Sequence, residues 1–302
     1  MATSSSIDIS KFQNLEFWNR LCPNLNISEQ TPLDEFTDNT LQEKLRDDDW
    51  QQCKSLIQED GYFAYDSWFK PASIQRLCDC LEKLNQAGIP PIFSFVYDEF
   101  WQMLTGLEPL FDDLLEGEYQ FLPAIWVWHV KHENQTAFAP HRDQVRDAAV
   151  DDEDHLDYLT IWVPLTDLNH LSSCICVLPA SADPDYGMDT KSVVVEDLQD
   201  IRTLQGKRGS VFCWATGLIH WGTRQSPMGQ PRMSVGFYVQ NPEAECHYPP
   251  PIDFKKPIPF KQRLAVIGQQ IIFYSREAGP EQIEMANALV RLGDEEPTTA
   301  NL

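Results

Sequence analysis

The sequence predicts a mainly β fold with surrounding helices, on three observations. Short runs of apolar, β-branched and aromatic residues recur through its middle: AIWVWHVKH (124–132), WVPLTDL, CICVLPAS, GSVFCWATGLIHWG and PRMSVGFYVQ. Runs of this kind, bounded by turn residues, read as strands. Helical spacing falls mostly on either side of them. Finally, 302 residues can bury one large core, and all-β barrels of this size are commonly a single domain.

In chain order, the first fifty residues mix polar and apolar positions around LEFWNRLCPNL and LDEFTDNTLQEKL, which predicts short helices or loops. A clearer helix starts at Pro71, a residue suited to a first turn. It spaces Ile74, Leu77, Cys78, Leu81 and Leu84 three and four apart, stops at Gly88, and is expected to back one sheet. VYDEFWQMLTGLEPLFDDLL also reads helical, interrupted at Gly106 and Pro109, with Phe100 and Trp101 expected in the core. Strand 124–132 then leads through NQTAFAP into His141-Arg-Asp143. The following RDAAVDDEDHLD is too acidic to favour burial and is expected to form an exposed loop, a candidate lid over substrate. Beyond Gln240, HYPPPIDFKKPIP predicts an extended connector, and helical periodicity returns in RLAVIGQQIIFYSR and PEQIEMANALVRL. Ile283, Ala286, Leu289 and Val290 make an apolar stripe in the last of these, to be covered by the barrel exterior or another subunit. The expected organisation is one domain, 1–302: an N-terminal extension 1–54, a core with helical insertions 55–240, and a connector with C-terminal helices 241–302.

The chemistry is carried by an ordered set of residues. His141-Arg-Asp143 is followed 77 residues later by His220 in GLIHWG, and 12 residues after that by Arg232-Met-Ser234. Two imidazoles and one carboxylate are the ligand set of a facial triad that holds non-haem Fe(II) and leaves positions open. Residues two apart on a strand share a face, so His141 and Asp143 are expected to grip one metal from one strand, with Arg142 turned away. The open positions suit a chelating keto acid and dioxygen. The planar guanidinium of Arg232, with the Ser234 hydroxyl two residues along, suits the distal carboxylate of 2-oxoglutarate. His129 and His132 are set aside, because the triad is complete without them. A three-residue HxD is common by chance, and the strands around it give it weight.

These segments resemble the phytanoyl-CoA dioxygenase (PhyH)-like family of Fe(II)/2-oxoglutarate-dependent oxygenases, over roughly residues 55–240, from EDGYFAYDSWF through the RMS strand. The resemblance implies a double-stranded β-helix (jelly-roll, cupin-like) core. It implies His141, Asp143 and His220 as iron ligands, and Arg232 with Ser234 as the 2-oxoglutarate anchor. It further implies a dioxygenase that oxidises an unactivated C–H bond and releases succinate and CO2, by hydroxylation or by the radical cyclisation or desaturation of specialised metabolism. Where the family often reads proline-glycine-serine-histidine after its central strand, this chain has Pro179-Ala-Ser-Ala182, and no substrate contact is assigned there. Asp143 argues against a halogenase of the type with Gly or Ala in that position.

Composition narrows the partners. Forty-six acidic against 23 basic residues give a net charge of −23, which repels nucleic acids and anionic membranes and argues against a coenzyme A thioester. Lys131, Arg142, Arg146, Arg224 and Arg232 nevertheless fall near the proposed ligands, which points to a small, carboxylate-bearing metabolite with Arg146 and Arg224 as candidate contacts. The alternative is that these are surface arginines paired with nearby acids. No apolar run reaches the ~18 residues of a membrane helix, and MATSSSIDIS does not read as a secretory signal, so a cytoplasmic protein is expected. Eight cysteines without a CxxC pair predict free, buried thiols. The competing reading is a non-catalytic metal- or 2-oxoglutarate-binding jelly-roll protein, which would not consume 2-oxoglutarate. A demethylase of protein or nucleic acid is disfavoured by the charge and by the lack of a recognition module.

Overall fold

Two antiparallel sheets carry the expected strands in a computed structural model that describes residues 9–31, 47–108, 110, 120–131, 138–144, 157–244, 251–253, 256–274 and 278–293. The strands are β1 (Tyr62–Tyr65), β2 (Gln120–Val130), β3 (Tyr158–Pro164), β4 (Ile175–Val177), β5 (Arg202–Leu204), β6 (Val211–Ala215), β7 (His220–Gly222) and β8 (Arg232–Gln240). One sheet has the order β1-β6-β3-β8-β2, the other β5-β4-β7. β1 and β5 lie outside the predicted runs; four and three residues are too few to show a pattern, and pairing with β6 and β4 defines them.

Pairing and side-chain alternation sort the larger sheet into two faces. Trp128, Thr160, Trp162, Phe212, Trp214, Arg232, Ser234 and Gly236 share one of them. Trp162, Phe212 and Trp214 pack there against Ile175, Val177 and Leu204 of the smaller sheet and against Leu218. Each such side chain contributes about 1.5–3 kcal/mol of burial free energy. The opposite face, with Ile161, Val163, Cys213, Val235 and Phe237, is buried as well. Burial on both faces is why β3 and β6 read as continuous apolar runs and not as alternation.

The chain groups into two compact units, residues 38–78 with 106–252, and residues 1–37 with 79–105 and 253–302. The first holds both sheets, helix α2 (Asp47–Asp60) beside β1, and the start of helix α3 (Pro71–Gln86), the helix predicted from Pro71. That start backs the end of β3 as expected: Cys78 Sγ donates to the Leu165 carbonyl at 3.0 Å. The second unit holds α1 (Leu15–Leu21), α4 (Asp98–Thr105), α5 (Phe260–Phe273) and α6 (Pro280–Gly293). Phe100 and Trp101 are fully buried there. The α6 stripe packs against α5: a Cβ on Gly268 would lie 2.6 Å from the Ala286 carbonyl oxygen and 3.0 Å from Leu289 Cβ. Glycine lets the two helices approach this closely. Arg263, fully buried, pairs with Asp98 at 2.6 Å and donates to the carbonyls of Ile258, Val96 and Ser28.

Among the described residues, seven cysteines are free and buried, and no helix is long and apolar enough to cross a membrane. Pro109, His132, Arg146, the acidic stretch 145–156 and the prolines at 249–250 lie outside the described residues.

Candidate metal centre

His220 opens β7, which pairs on one side with β4. On its other side the chain at His141 forms an isolated antiparallel bridge: each of the two residues donates its backbone N–H to the other's carbonyl at 3.0 Å. The bridge sets the imidazoles side by side, ring centroids 4.3 Å apart. The HxD segment was expected on one strand; only His141 is bridged, and Asp143 lies in a bend. Chain turning, and not strand alternation, brings the carboxylate back. Asp143 Oδ1 stands 3.5 Å from His141 Nε2 and Oδ2 3.6 Å from His220 Nε2. One ligand atom from each residue falls within 4.8 Å of the others.

The remaining bonds orient these groups toward a common point. Nδ1 of His141 lies 2.8 Å from the Ala139 carbonyl and Nδ1 of His220 lies 3.1 Å from that of Leu218. A carbonyl only accepts, so Nδ1 carries the proton in both rings, and in the neutral form Nε2 presents a lone pair. Thr160 Oγ1 donates to Asp143 Oδ2 at 2.8 Å. Burial opposes the Asp143 charge, but His220, His141 and the Thr160 hydroxyl outweigh it and hold the carboxyl below its ordinary range. Burial pushes the His220 imidazole down, against the pull of Asp143. At His141 burial acts the same way, yet Asp143 prevails and raises the imidazole.

Arg142 turns away from the ligands, as expected, but into the interior. Only 5 % exposed, it donates through both Nη atoms to Asp183 and also to the carbonyls of Ser192 and Gly217. It is neither a surface residue nor available to an anion. His129 falls on the face of β2 opposite to Trp128, and burial, with Lys131 adding, pushes its imidazole down to about 4.

Arg232 and Ser234 start β8 on the inner face. Arg232 is 3 % exposed; its Nη1 donates to the Ser173 carbonyl at 3.2 Å, and its guanidinium carbon sits 5.3 Å from the centroid of the Trp162 ring. Arg232 Nε and Ser234 Oγ are buried without any hydrogen-bond partner. Among the described residues no carboxylate pairs with Arg232. Burial pushes its pKa down to about 10, with Cys174 opposing. An unpaired buried charge is costly, and two idle donors beside it suit a carboxylate that completes them. Trp162 beneath Arg232 and Thr160 beside Asp143 lie two apart on one face of β3, so the anchor and the Asp143 carboxylate adjoin the same face, while His141 and His220 come from the side of the smaller sheet. The residues therefore fit a metal and a bound keto acid. Arg224 is exposed, two residues past β7.

The partnerships of Thr160, Trp162 and Asp183 were not read from the sequence. Only Thr160 and Trp162 carried a signal, their two-residue spacing on a strand upstream of Arg232.

No protein-family model matches the chain, and no curated protein does. Solved structures do. The apo form of ThoJ, described as a non-heme monooxygenase, superposes with a TM-score of 0.53 at 14% identity over 79% of this chain and 99% of its own. HygX from Streptomyces hygroscopicus, bound to nickel, 2-oxoglutarate and hygromycin B, gives 0.51 at 11% over 64% and 88%. The epimerase SnoN, in complex with Fe3+, α-ketoglutarate and nogalamycin RO, gives 0.50 at 16% over 68% and 88%. At these identities the likeness is one of fold.

Proposed function

We propose that the chain is an Fe(II)/2-oxoglutarate-dependent dioxygenase, one domain on a double-stranded β-helix, that oxidises an unactivated C–H bond of a small metabolite. One observation carries this reading: a His/Asp/His set with both Nδ1 atoms tied back, its carboxylate held by Thr160 of β3, adjoins the same face of β3 as a buried arginine and serine that keep idle donors and, among the described residues, have no carboxylate. A purely structural metal site has no use for that second half. Two sheets packed across one core, and the folds of ThoJ, HygX and SnoN, support the barrel.

His141, Asp143 and His220 would hold the metal, and Arg232 with Ser234 the distal carboxylate of 2-oxoglutarate. Together the bound groups would supply the oxidising power of dioxygen, with 2-oxoglutarate going to succinate and CO2. Thr160 fixes the Asp143 carboxylate. Trp162 shields Arg232 from water, and an ion pair strengthens as water is excluded. Hydroxylation is the default outcome, with radical cyclisation or desaturation as the variants of specialised metabolism. Two of the five basic residues behind an anionic substrate are already committed, Arg142 to Asp183 and Arg232 to the cosubstrate. That leaves Lys131, Arg146 and Arg224, of which Arg146 and Arg224 are the candidate carboxylate contacts on the substrate.

The test is anaerobic addition of Fe(II) and 2-oxoglutarate to metal-free protein. The visible charge-transfer band of chelated 2-oxoglutarate is expected in the wild type, absent in His220→Ala, and weakened at least tenfold in apparent affinity in Arg232→Ala, which loses a bidentate charged contact. Wild-type protein that folds but gives no band would sink the reading. A band without oxygen-dependent succinate would favour the non-catalytic binding protein.

A further inference from the structure

Register sorts the inner face of the larger sheet into cross-strand rows. Trp214, Thr160 and Tyr238 make one row, and the Thr160 bond to Asp143 places it beside the candidate ligands. Toward one end the rows lead through Gly236 and Ser234 to Arg232. Toward the other end lies one more row. In it Tyr158 stands opposite Gln240, and Thr216 donates its backbone N–H to the Tyr158 carbonyl at 3.4 Å.

Three side-chain atoms on this second side are buried without a hydrogen-bond partner: Trp214 Nε1, Thr216 Oγ1 and Gln240 Oε1. Their residues are 2, 0 and 1 % exposed. Buried polar atoms are nearly always bonded, an indole N–H can only donate, and an amide oxygen can only accept. Gln240 already uses its Nε2 on Gln120 Oε1, at 3.4 Å, which leaves the oxygen end of the amide over. The Trp214 ring lies 4.9 Å from that of His220, so the first of these atoms belongs to the immediate surroundings of the ligands. At the far end of the same face, Arg232 Nε and Ser234 Oγ are idle because the bound keto acid would complete them. The same logic points to a polar ligand on this side of the metal row.

We propose that Trp214, Thr216 and Gln240 form the polar wall of the substrate pocket, and that they recognise neutral groups able to both donate and accept, above all the hydroxyls of a small polyol. The proposal rests on the oxygenase reading and names its substrate class. No side chain in these two rows is charged, so a carboxylate would meet no counter-charge here, whereas a hydroxyl can accept from the indole or the threonine and donate to the amide oxygen. Thr216 and Gln240 flank β3, and two strand spacings put them about 10 Å apart. That span suits a ring with hydroxyls on opposite edges.

The probe is myo-inositol, titrated calorimetrically into protein loaded with Zn(II), a redox-inert stand-in for iron, and 2-oxoglutarate. Cyclohexanecarboxylate, the same ring with a charge and no hydroxyls, is the control. The wild type is expected to bind the polyol in the millimolar range and not the control. Thr216→Val and Gln240→Leu are each expected to raise the polyol Kd about tenfold, the loss of one hydrogen bond, with 2-oxoglutarate affinity unchanged. Absence of polyol binding in protein that holds 2-oxoglutarate, or variants that titrate like the wild type, would overturn the proposal. Protein that takes up neither metal nor 2-oxoglutarate overturns the oxygenase reading itself, and this proposal with it.

Discussion

Thr160 determines how Asp143 is presented. Its hydroxyl bonds Oδ2 at 2.8 Å, while Oδ1 faces His141 Nε2 at 3.5 Å, so one oxygen is engaged by protein and the other is free to meet a metal. Thr160→Val keeps the shape and β-branching of the side chain and removes only the donor. Loss of such a supporting bond commonly costs ten- to a hundredfold in metal affinity, so Zn(II) titration of the variant is expected to show a drop of about that size. An unchanged Kd would mean that the bend at Asp143 alone fixes the carboxylate. That Arg232 and Ser234 share a face was legible in sequence because a two-residue spacing has meaning on any strand. Thr160 was not, since threonine is an ordinary strand residue and its role appears only when the register sets it beside Asp143.

Among the elements, the bend carrying Asp143 has little regular structure of its own, and Arg142 supplies what secondary structure does not. Its guanidinium joins three segments: the HxD bend, the stretch from Asp183 to Ser192, and the turn at Gly217 that leads into β7. The side chains of Arg142 and Asp183 are 3 and 0 % exposed, so removing one charge leaves the other buried and uncompensated, a loss of about 3–5 kcal/mol. Urea unfolding of Asp183→Asn is expected to show a destabilisation in that range together with weaker metal binding; a loss under about 1 kcal/mol would mean that the pair is open to solvent. Most strands and helices could be read from periodicity because they exceed one turn or one pleat. The direction of Arg142 was legible too, but its burial was not: its partner lies 41 residues away, and local pattern carries no trace of such a contact. The same limit hid the short strands β1 and β5, and it left the cover of the α6 stripe open between alternatives that did not include α5.

For the molecule as a whole, the net charge of −23 sets the terms on which 2-oxoglutarate, the proposed cosubstrate and a dianion, would approach. The long-range field repels it, and Arg232 attracts it only once it is inside, because that guanidinium is 3 % exposed. Salt acts unequally on these two forces. The screening length falls from about 30 Å at 0.01 M to about 10 Å at 0.1 M, which suppresses repulsion from the distant surface, whereas a buried pair is screened far less. The association rate of 2-oxoglutarate is therefore expected to rise, severalfold, across that range of ionic strength, with the dissociation rate nearly constant. This is opposite in sign to the salt response of a ligand steered by attraction. Stopped-flow measurement of the charge-transfer band under anaerobic conditions separates the two rates. A fall in association rate with salt would show that the approach is locally positive, with exposed Lys191 and Arg224 as the charges to neutralise next.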